Sequence, residues 1–254
     1  MKKIFIPLLI VWIIFFSFFW YLNRNYETPI FMYHSLDPER IDNYAAVAPD
    51  NFIKQMEYID RHGYRVIELD EYCRLRRAGA PVPKKSLVIT FDDGHKDNLV
   101  AFEVLKRFNF PATFFIIVDK LNSPSYLSRV DIAQALENPK ITIGSHTVSE
   151  AYLPSLGPNE LSYEIRNSKA ALEDLFSKTI KFFSYTIGGY NRQTLKEVEL
   201  AGYLCACTTN RGFSKKLTPF TLRRIKITDR DRGVRLWAKL SGFYDIFRKP
   251  KHPY

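Results

Sequence analysis

Short apolar runs alternate with amphipathic stretches along most of the chain after residue 28. Apolar runs bounded by turn residues are typical of strands, and apolar positions spaced three and four apart indicate helices. We predict helices over Phe52–His62, with Asp50 as its cap and Gly63 as its stop, and over Asn159–Ser177 and Arg192–Ala201. The predicted strands are Ile30–Leu36, Tyr64–Leu69, Ser86–Asp92, Ala112–Val118, Ile141–His146, Lys181–Thr186, Tyr203–Thr209 and Leu222–Ile227. Repeated strand–helix units predict an α/β fold, a distorted or incomplete (β/α) barrel of mainly parallel strands, with its chemistry at the C-terminal ends of the strands.

The first 28 residues follow a different pattern. Ile4–Leu22 carries no charge over 19 residues, and it follows Lys2 and Lys3. This length and flanking charge predict an uncleaved transmembrane signal anchor that leaves the rest of the chain outside the cytoplasm, in the periplasm or the extracellular space. We therefore expect an anchor and short linker over 1–28 and one catalytic domain over 29–254.

Composition and charge narrow the classes of partner. The 254 residues are 46% hydrophobic and 25% charged, so a packed core is expected and disorder is not. A net charge of +10 suits nucleic acid, anionic lipid or an acidic polymer. The Lys and Arg residues are scattered and form no nucleic-acid module, which favours a membrane-surface or cell-envelope role.

The three cysteines do not have the spacing of a disulfide framework. An odd number of cysteines argues against a fold that depends on disulfides. Cys205 and Cys207 lie in an apolar, strand-like run, so we expect both to be buried free thiols.

Two adjacent carboxylates end one predicted strand, in the run TFDDG at residues 90–94. Neighbouring side chains of a strand point to opposite faces, but a turn at Gly94 would let Asp92 and Asp93 reach one pocket. Two ionised carboxylates so close repel each other unless a cation lies between them. An Asp-Gly turn that merely ends the strand is the alternative interpretation.

A histidine and a glutamate follow another predicted strand. His146 and Glu150 are four residues apart and would share one face if the chain turned helical there. With Asp93 they would form an Asp–His–Glu metal site that leaves positions open for water and substrate. A purely structural histidine is the alternative.

These motifs together carry a family resemblance. TFDDG followed by Ser145-His146-Thr147 resembles the polysaccharide deacetylase family, the nodulation-type or carbohydrate esterase family four domain. The opening run IFMYH, residues 30–34, resembles the poly-N-acetylglucosamine deacetylase branch. FFSYTIGGYN, residues 182–191, is similar to the family's F-x-Y-P-Y-G-x-Y-N segment, and Leu222–Ile225 is a weaker match. The matches span residues 29 to 227.

The resemblance implies a role for several residues. Asp92 would be the general base and His34 the general acid, while Asp93 and His146 would bind a divalent metal. The backbone near Tyr185 would hold the oxyanion. His95 would be a substrate contact or an alternative acid.

The sequence departs from the family pattern in three places. Glu150 stands where the family usually has a second histidine; a carboxylate is still a competent ligand, so we expect zinc, with nickel, cobalt and manganese as alternatives. Thr186 and Ile187 replace a Pro-Tyr pair. Ser184 stands where many relatives have an arginine, which removes a group that could orient the base.

We therefore expect a hydrolase of non-peptide amide bonds that removes acetyl groups from an N-acetylated polysaccharide or glycan in the cell envelope, with a metal cofactor. The expected partners are the glycan and, through the N-terminal helix, the membrane, but not nucleic acid. A catalytically impaired glycan-binding protein is the alternative. Metal-dependent phosphoester cleavage is disfavoured because the sequence has no Gly-rich phosphate loop. The pattern makes no prediction of oligomeric state.

Overall fold

The computed structural model describes residues 2–24, 26–37, 39, 45–210, 218–241, 244 and 248. In this part of the chain the strands are β1 (Ile30–Tyr33), β2 (Arg65–Val66), β3 (Ser86–Phe91), β4 (Ala112–Ile116), β5 (Ile141–Ser145), β6 (Phe182–Ser184), β7 (Cys205–Cys207) and β8 (Ile225–Lys226). The α-helices are α1 (Lys2–Arg24), α2 (Pro49–Arg61), α3 (Leu69–Arg77), α4 (Leu99–Phe108), α5 (Arg129–Ala135), α6 (Pro158–Ser162), α7 (Ser168–Phe176), α8 (Arg192–Leu200) and α9 (Val234–Leu240).

The strands form one parallel sheet in the order β7-β6-β5-β4-β3-β1-β8, with β2 pairing β3. Ile225 of β8 lies beside Phe31 at one edge, and Leu222, just before β8, lies beside Cys207 at the other edge. The Leu222 N–H donates to Ala206 O at 2.9 Å, and Leu222 O accepts from Thr208 N at 2.8 Å. One short segment therefore touches both edges, so the sheet is curled, and the prediction of an incomplete parallel α/β barrel is confirmed.

Alternate strand residues enter two apolar clusters, as the two-residue period of a strand requires. The outer cluster lies between sheet and helices and includes Phe31, Phe91 and Phe114. A smaller lower cluster fills the interior and joins the strands to α3; its strand residues are Ile30, Val88, Phe115, Phe182, Cys205 and Cys207, with Leu222. Because both faces of the sheet are covered, β3 is buried at all six residues.

The interior of the barrel is tightly filled where β5 passes Phe115. A Cβ on Gly144 would lie 2.6 Å from the Phe115 ring and 2.8 Å from Phe182 O, both too close for real atoms. Glycine is therefore required at this position by close approach. The tight packing fixes the height at which β5 ends, and His146 follows directly.

The observed helices broadly match the predicted ones. The predicted cap of α2 is wrong, because Ala48 is its N-cap, Pro49 begins it and Asp50 lies in its first turn. Gly63, with φ 63°, follows the helix end as predicted. The predicted helix over residues 159–177 is divided into α6, a π-helical turn over Tyr163–Asn167, and α7.

The expectation about the cysteines is half wrong. Cys73 of α3 and Cys205 of β7 form a disulfide with a Cα–Cα distance of 6.5 Å, while Cys207 is free and buried as expected. The two bonded cysteines are 132 positions apart, so no local spacing marks them as partners. A cross-link over so long a loop contributes roughly 2–5 kcal/mol and ties α3 beneath the sheet.

Helix α1 covers the segment for which the sequence predicts a transmembrane anchor. Among the residues that the structure describes, no helix is both long enough and apolar enough to cross a membrane. The prediction of a transmembrane helix is therefore not supported by the structure.

Candidate active site at the C-terminal ends of the strands

Four of the side chains that the sequence singled out lie at one rim of the barrel, above the lower cluster. His34 follows β1, Asp92 and Asp93 follow β3, and His146 follows β5. Parallel strands end at the same edge of a sheet, so these residues come from one rim. Asp93 and Gly94 have φ values of 72° and 73°, and this turn breaks the alternation of the strand. Both carboxylates consequently reach the same site.

Asp92 is held by a buried arginine. Arg224 Nη1 donates to Asp92 Oδ1 and Nη2 donates to Oδ2, each at 2.6 Å, and Arg224 is only 2% exposed. Arg224 also donates to Thr208 O at 3.1 Å, Thr90 Oγ1 at 3.2 Å and Ser184 Oγ at 2.8 Å. Such a fork-to-fork pair fixes the plane of the carboxylate as well as its charge.

Burial alone would raise the pKa of Asp92. The attraction of Arg224, and then of His146, outweighs it, so the pKa lies below its ordinary value. Asp92 is therefore ionised at neutral pH, as a general base must be.

The expectation that the base lacks an orienting arginine is wrong. Ser184 itself cannot orient the base as an arginine would, but Arg224 reaches the Asp92 carboxylate from just before β8. The Ser184 hydroxyl accepts from Arg224 and lies 3.4 Å from Asp92 Oδ2. The sequence carried a weak signal for this, two arginines between Leu222 and Ile225 in a predicted strand, but no pattern names the partner of either.

Asp93 lies between two imidazoles. Its Oδ2 is 3.2 Å from His95 Nε2, and its Oδ1 is 3.4 Å from His146 Nε2. Burial raises the pKa of Asp93, but hydrogen bonds to His146 and His95 lower it well below the ordinary value. Burial lowers the pKa of His146. The negative charge of Asp92, and to a lesser extent the contact with Asp93, raises it by more, so the pKa of His146 lies above its ordinary value.

The geometry of His146 suits a cation. Its Nδ1 lies 2.8 Å from the carbonyl oxygen of Ser184, and a carbonyl only accepts, so Nδ1 carries the hydrogen. The neutral ring then turns the lone pair of Nε2 towards the carboxylate of Asp93. Two acceptors face each other stably only with a proton or a metal ion between them, and backbone-anchored imidazole with carboxylate is a common metal-binding pair. Asp93 and His146 therefore fit as ligands of a divalent cation.

Glu150 is not brought to this pair. Residues 146–150 do not form the predicted helical turn, and Glu150 is exposed, with φ 69°. The Glu164 carboxylate explains this, because it accepts from Val148 N at 2.8 Å and Ser149 N at 3.0 Å and holds the loop open. In the part of the chain that the structure describes, no three His, Cys, Asp or Glu side chains are arranged to hold a metal ion.

His34 is held by two residues that the sequence reasoning missed. Asn98 Nδ2 donates to His34 O at 2.8 Å, while Asp97 accepts from Ser35 Oγ at 2.6 Å and from Leu36 N at 2.9 Å. The only sequence signal for Asp97 and Asn98 was their position directly after the run TFDDGHK, residues 90–96. His34 Nδ1 is buried and meets no hydrogen-bond partner among the described residues. Burial lowers the pKa of His34, although Asp92 and Asp93 oppose the shift.

Tyr185 does not have a free N–H for an oxyanion. Its N–H donates to Cys207 O at 3.1 Å, and its hydroxyl donates to Phe220 O at 3.0 Å. It is fully buried and continues the sheet.

His95 lies within the site but is already engaged. It contacts Asp93, and its ring stacks on Tyr126 with centroids 5.2 Å apart. This placement makes His95 a support for Asp93.

Comparison with known proteins shows the family of this chain. A sequence model described as polysaccharide deacetylase matches residues 79–206. The chain is 30% identical over 204 residues to YxkH of Bacillus subtilis (strain 168), which is provisionally named a polysaccharide deacetylase. The matched region covers 80% of this chain and 72% of that protein. This chain belongs to the polysaccharide deacetylase family.

Two further relatives extend the match. The chain is 26% identical over 241 residues to a poly-β-1,6-N-acetyl-D-glucosamine N-deacetylase of Staphylococcus aureus (strain N315), covering 85% of this chain and 78% of that one. The solved structure of the Streptococcus pyogenes deacetylase PplD in complex with acetate has a TM-score of 0.78 at 27% identity, covering 85% of this chain and 99% of that one. His34 and Arg224 lie outside the range of the family model, so the fold brings them to a site built mainly within that range.

Proposed function

We propose that this protein is a metal-dependent hydrolase that removes acetyl groups from an N-acetylated polysaccharide. Membership of the family supports N-deacetylation of a polysaccharide as the reaction. One observation carries the residue assignment: Asp92 is ionised and clamped by Arg224 beside the Asp93–His146 pair. A fixed base next to a cation-binding pair is what water attack on an amide needs.

Asp92 is the proposed general base. Arg224 lowers its basicity somewhat, but it keeps the carboxylate charged and fixes its plane. A carboxylate has lone pairs beyond the two that Arg224 uses, so Asp92 can still accept a proton from the attacking water. Positioning therefore compensates for the lost basicity.

Asp93 and His146 would hold the cation, zinc by the choice of donors, with nickel, cobalt and manganese as alternatives. When bound, the ion polarises the amide carbonyl and acidifies water. The Ser184 carbonyl orients His146, and His95 supports Asp93 from the other side. Both ligands are thus oriented before an ion arrives.

His34 is the proposed general acid. An amide nitrogen is a poor leaving group until it is protonated, so the C–N bond breaks as His34 gives a proton to the departing sugar amine. Burial lowers the pKa of His34, which makes its protonated form a stronger acid. Asn98 and Asp97 hold the segment that carries it.

The reaction is tested by measuring acetate and free amine released from N-acetylglucosamine oligomers, with and without a chelator. We expect the two products in equal amounts, lost with chelator and restored by zinc. Activity that is unchanged by a chelator would contradict the metal, and release of neither product by the zinc-loaded protein would contradict the hydrolase.

A glycan-binding protein without turnover is the second candidate. The observation that favours it is Glu150, which is exposed, so the expected third ligand is not supplied. Glycan binding that persists without product release in zinc-loaded protein would support this candidate.

We also propose that the domain works outside the cytoplasm, in the cell envelope. The Cys73–Cys205 disulfide supports this, because disulfides persist mainly in oxidising compartments. The N-terminal membrane anchor stays a prediction from the sequence. Cell fractionation tests the anchor, since we expect the protein in the membrane fraction. Protease added to intact cells tests the location of the domain, since we expect the domain to be cleaved.

A further inference from the structure

Ile187 combines two features that are each unfavourable. Its backbone lies in the left-handed region, with φ 56° and ψ 5°, where a β-branched residue is an outlier. Its side chain is 74% exposed, although most large apolar residues of this domain are buried. Strained backbone of this kind persists where the surroundings enforce it, and it is concentrated at functional sites.

The surroundings of Ile187 enforce the strain. Thr209 Oγ1 donates to Ile187 O at 2.9 Å, and the Gly188 N–H donates to Tyr185 O at 2.8 Å. A Cβ on Gly188 would collide with Thr209, and a Cβ on Gly189 would collide with the Tyr152 ring. The turn is thus fixed between the segment after β7 and the segment after β5.

The turn is also joined to the proposed machinery. Ser184, three residues earlier, contacts Arg224 through its hydroxyl and His146 through its carbonyl. Ile187 is exposed on the same rim of the barrel, one short turn beyond the residue that contacts Arg224 and His146. Tyr152, 37% exposed, packs on the same turn and adds a second apolar surface there.

We propose that Ile187 is a specificity-determining residue that contacts the apolar face of a pyranose ring of the glycan. This rests on the proposed function. Sugar rings present flat C–H surfaces beside their hydroxyls, and an exposed apolar side chain at the mouth of a polar pocket complements such a surface. Because Thr209 and the two glycines fix the turn, the contact is preorganised.

The test compares Ile187→Asn with Ile187→Val. Asparagine tolerates the left-handed region and removes the apolar surface, whereas valine keeps both the strain and most of the apolar surface. For Ile187→Asn we expect a melting temperature raised by about 2–4 °C. We also expect KM for N-acetylglucosamine oligomers to rise about ten-fold, as for lost apolar contacts in a pocket, with kcat changed less than about two-fold. Ile187→Val should match the wild type within about two-fold in both parameters.

Binding separates this proposal from the proposed function. The dissociation constant for the same oligomers is measured in an Asp92→Asn background, where turnover is not needed. A rise of about ten-fold on adding Ile187→Asn would support the contact even if no acetate were ever released. If Ile187→Asn left both the dissociation constant and KM unchanged, the proposed sugar contact would be overturned. If its melting temperature did not rise, the claim that the Ile187 backbone is strained would be overturned.

Discussion

The two halves of the barrel interior are built by the same strands but differ in chemistry. The lower cluster is apolar and is covered by α3 and the Cys73–Cys205 disulfide. Two residues further along the same strands the interior becomes polar: Val88 is followed by Thr90 and Asp92, Phe182 by Ser184, and Leu222 by Arg224. Because a strand rises about 3.3 Å per residue, a step of ~7 Å separates an apolar floor from a charged site.

The comparison shows how the fold supports a buried ion pair. The Arg224 guanidinium lies over the Phe115 ring, 5.4 Å from its centroid, so one face of it packs against the apolar floor. In such surroundings the attraction between Arg224 and Asp92 is strong, but either group left alone would be costly. The floor should therefore determine stability, and the layer above it should determine both stability and chemistry.

The largest expected effect comes from breaking that pair. Arg224→Met leaves Asp92 buried without its partner, so we expect a loss of about 3–5 kcal/mol in the free energy of unfolding and of activity by orders of magnitude. Urea unfolding measures the first, and acetate release measures the second. The double variant Arg224→Met/Asp92→Asn is the control and should recover much of the stability without activity. A single variant as stable as the wild type would contradict the account.

The same pair predicts the dependence of stability on pH. The folded pKa of Asp92 is depressed, so its contribution is present above the unfolded pKa, about 4, and is lost as the pH falls through the folded value. We expect wild-type stability to fall below about pH 4 more steeply than that of the double variant, in urea melts at several pH values. Parallel curves for the two proteins would contradict this.

Breaking the floor should affect stability with little direct effect on chemistry. Cys73→Ala/Cys205→Ala removes the cross-link, and we expect a loss of roughly 2–5 kcal/mol in the free energy of unfolding. At a temperature where it is folded, kcat should stay within about two-fold, because the disulfide touches none of the proposed catalytic groups. Cys207→Ala is the matched control, because it removes a buried thiol that takes part in no disulfide. Equal destabilisation by the two changes would show that packing, and not the disulfide, is responsible.

The segment that carries His34 gives a smaller effect. Asn98→Ala removes the hydrogen bond to His34 O, so we expect kcat to fall about ten-fold with KM nearly unchanged. In a His34→Gln background, Asn98→Ala should lower kcat little further, because the effects of residues that act as a unit do not add. Full additivity in kcat would argue that Asn98 acts elsewhere.

The smallest effect should be at Glu150. Glu150→Gln should change zinc affinity less than about two-fold, because the side chain is exposed and away from Asp93, while His146→Gln should lower it by a hundred-fold or more. Calorimetric zinc titration of both variants decides this. A large loss with Glu150→Gln would show that the loop closes over the metal after all.

The sequence predicted the scaffold better than the pairings inside it. Each observed strand overlaps a predicted one, and the pattern is clearest for β1, β3 and β4, which are buried at every residue. Asp92, Asp93 and His146 could be placed together because parallel strands end at one rim. Arg224 with Asp92 and Cys73 with Cys205 are each 132 positions apart, and no local period encodes such contacts. Glu150 was misplaced for a similar reason, because Glu164 on a distant segment shapes its loop.

The central claim is that Asp92 is a base held in place by Arg224, next to a metal that it does not bind. The most direct measurement is acetate release by Asp92→Asn, with bound zinc quantified in the same sample. We expect turnover to fall by orders of magnitude while zinc content stays close to that of the wild type. Turnover near the wild-type rate, or loss of zinc together with activity, would contradict the account.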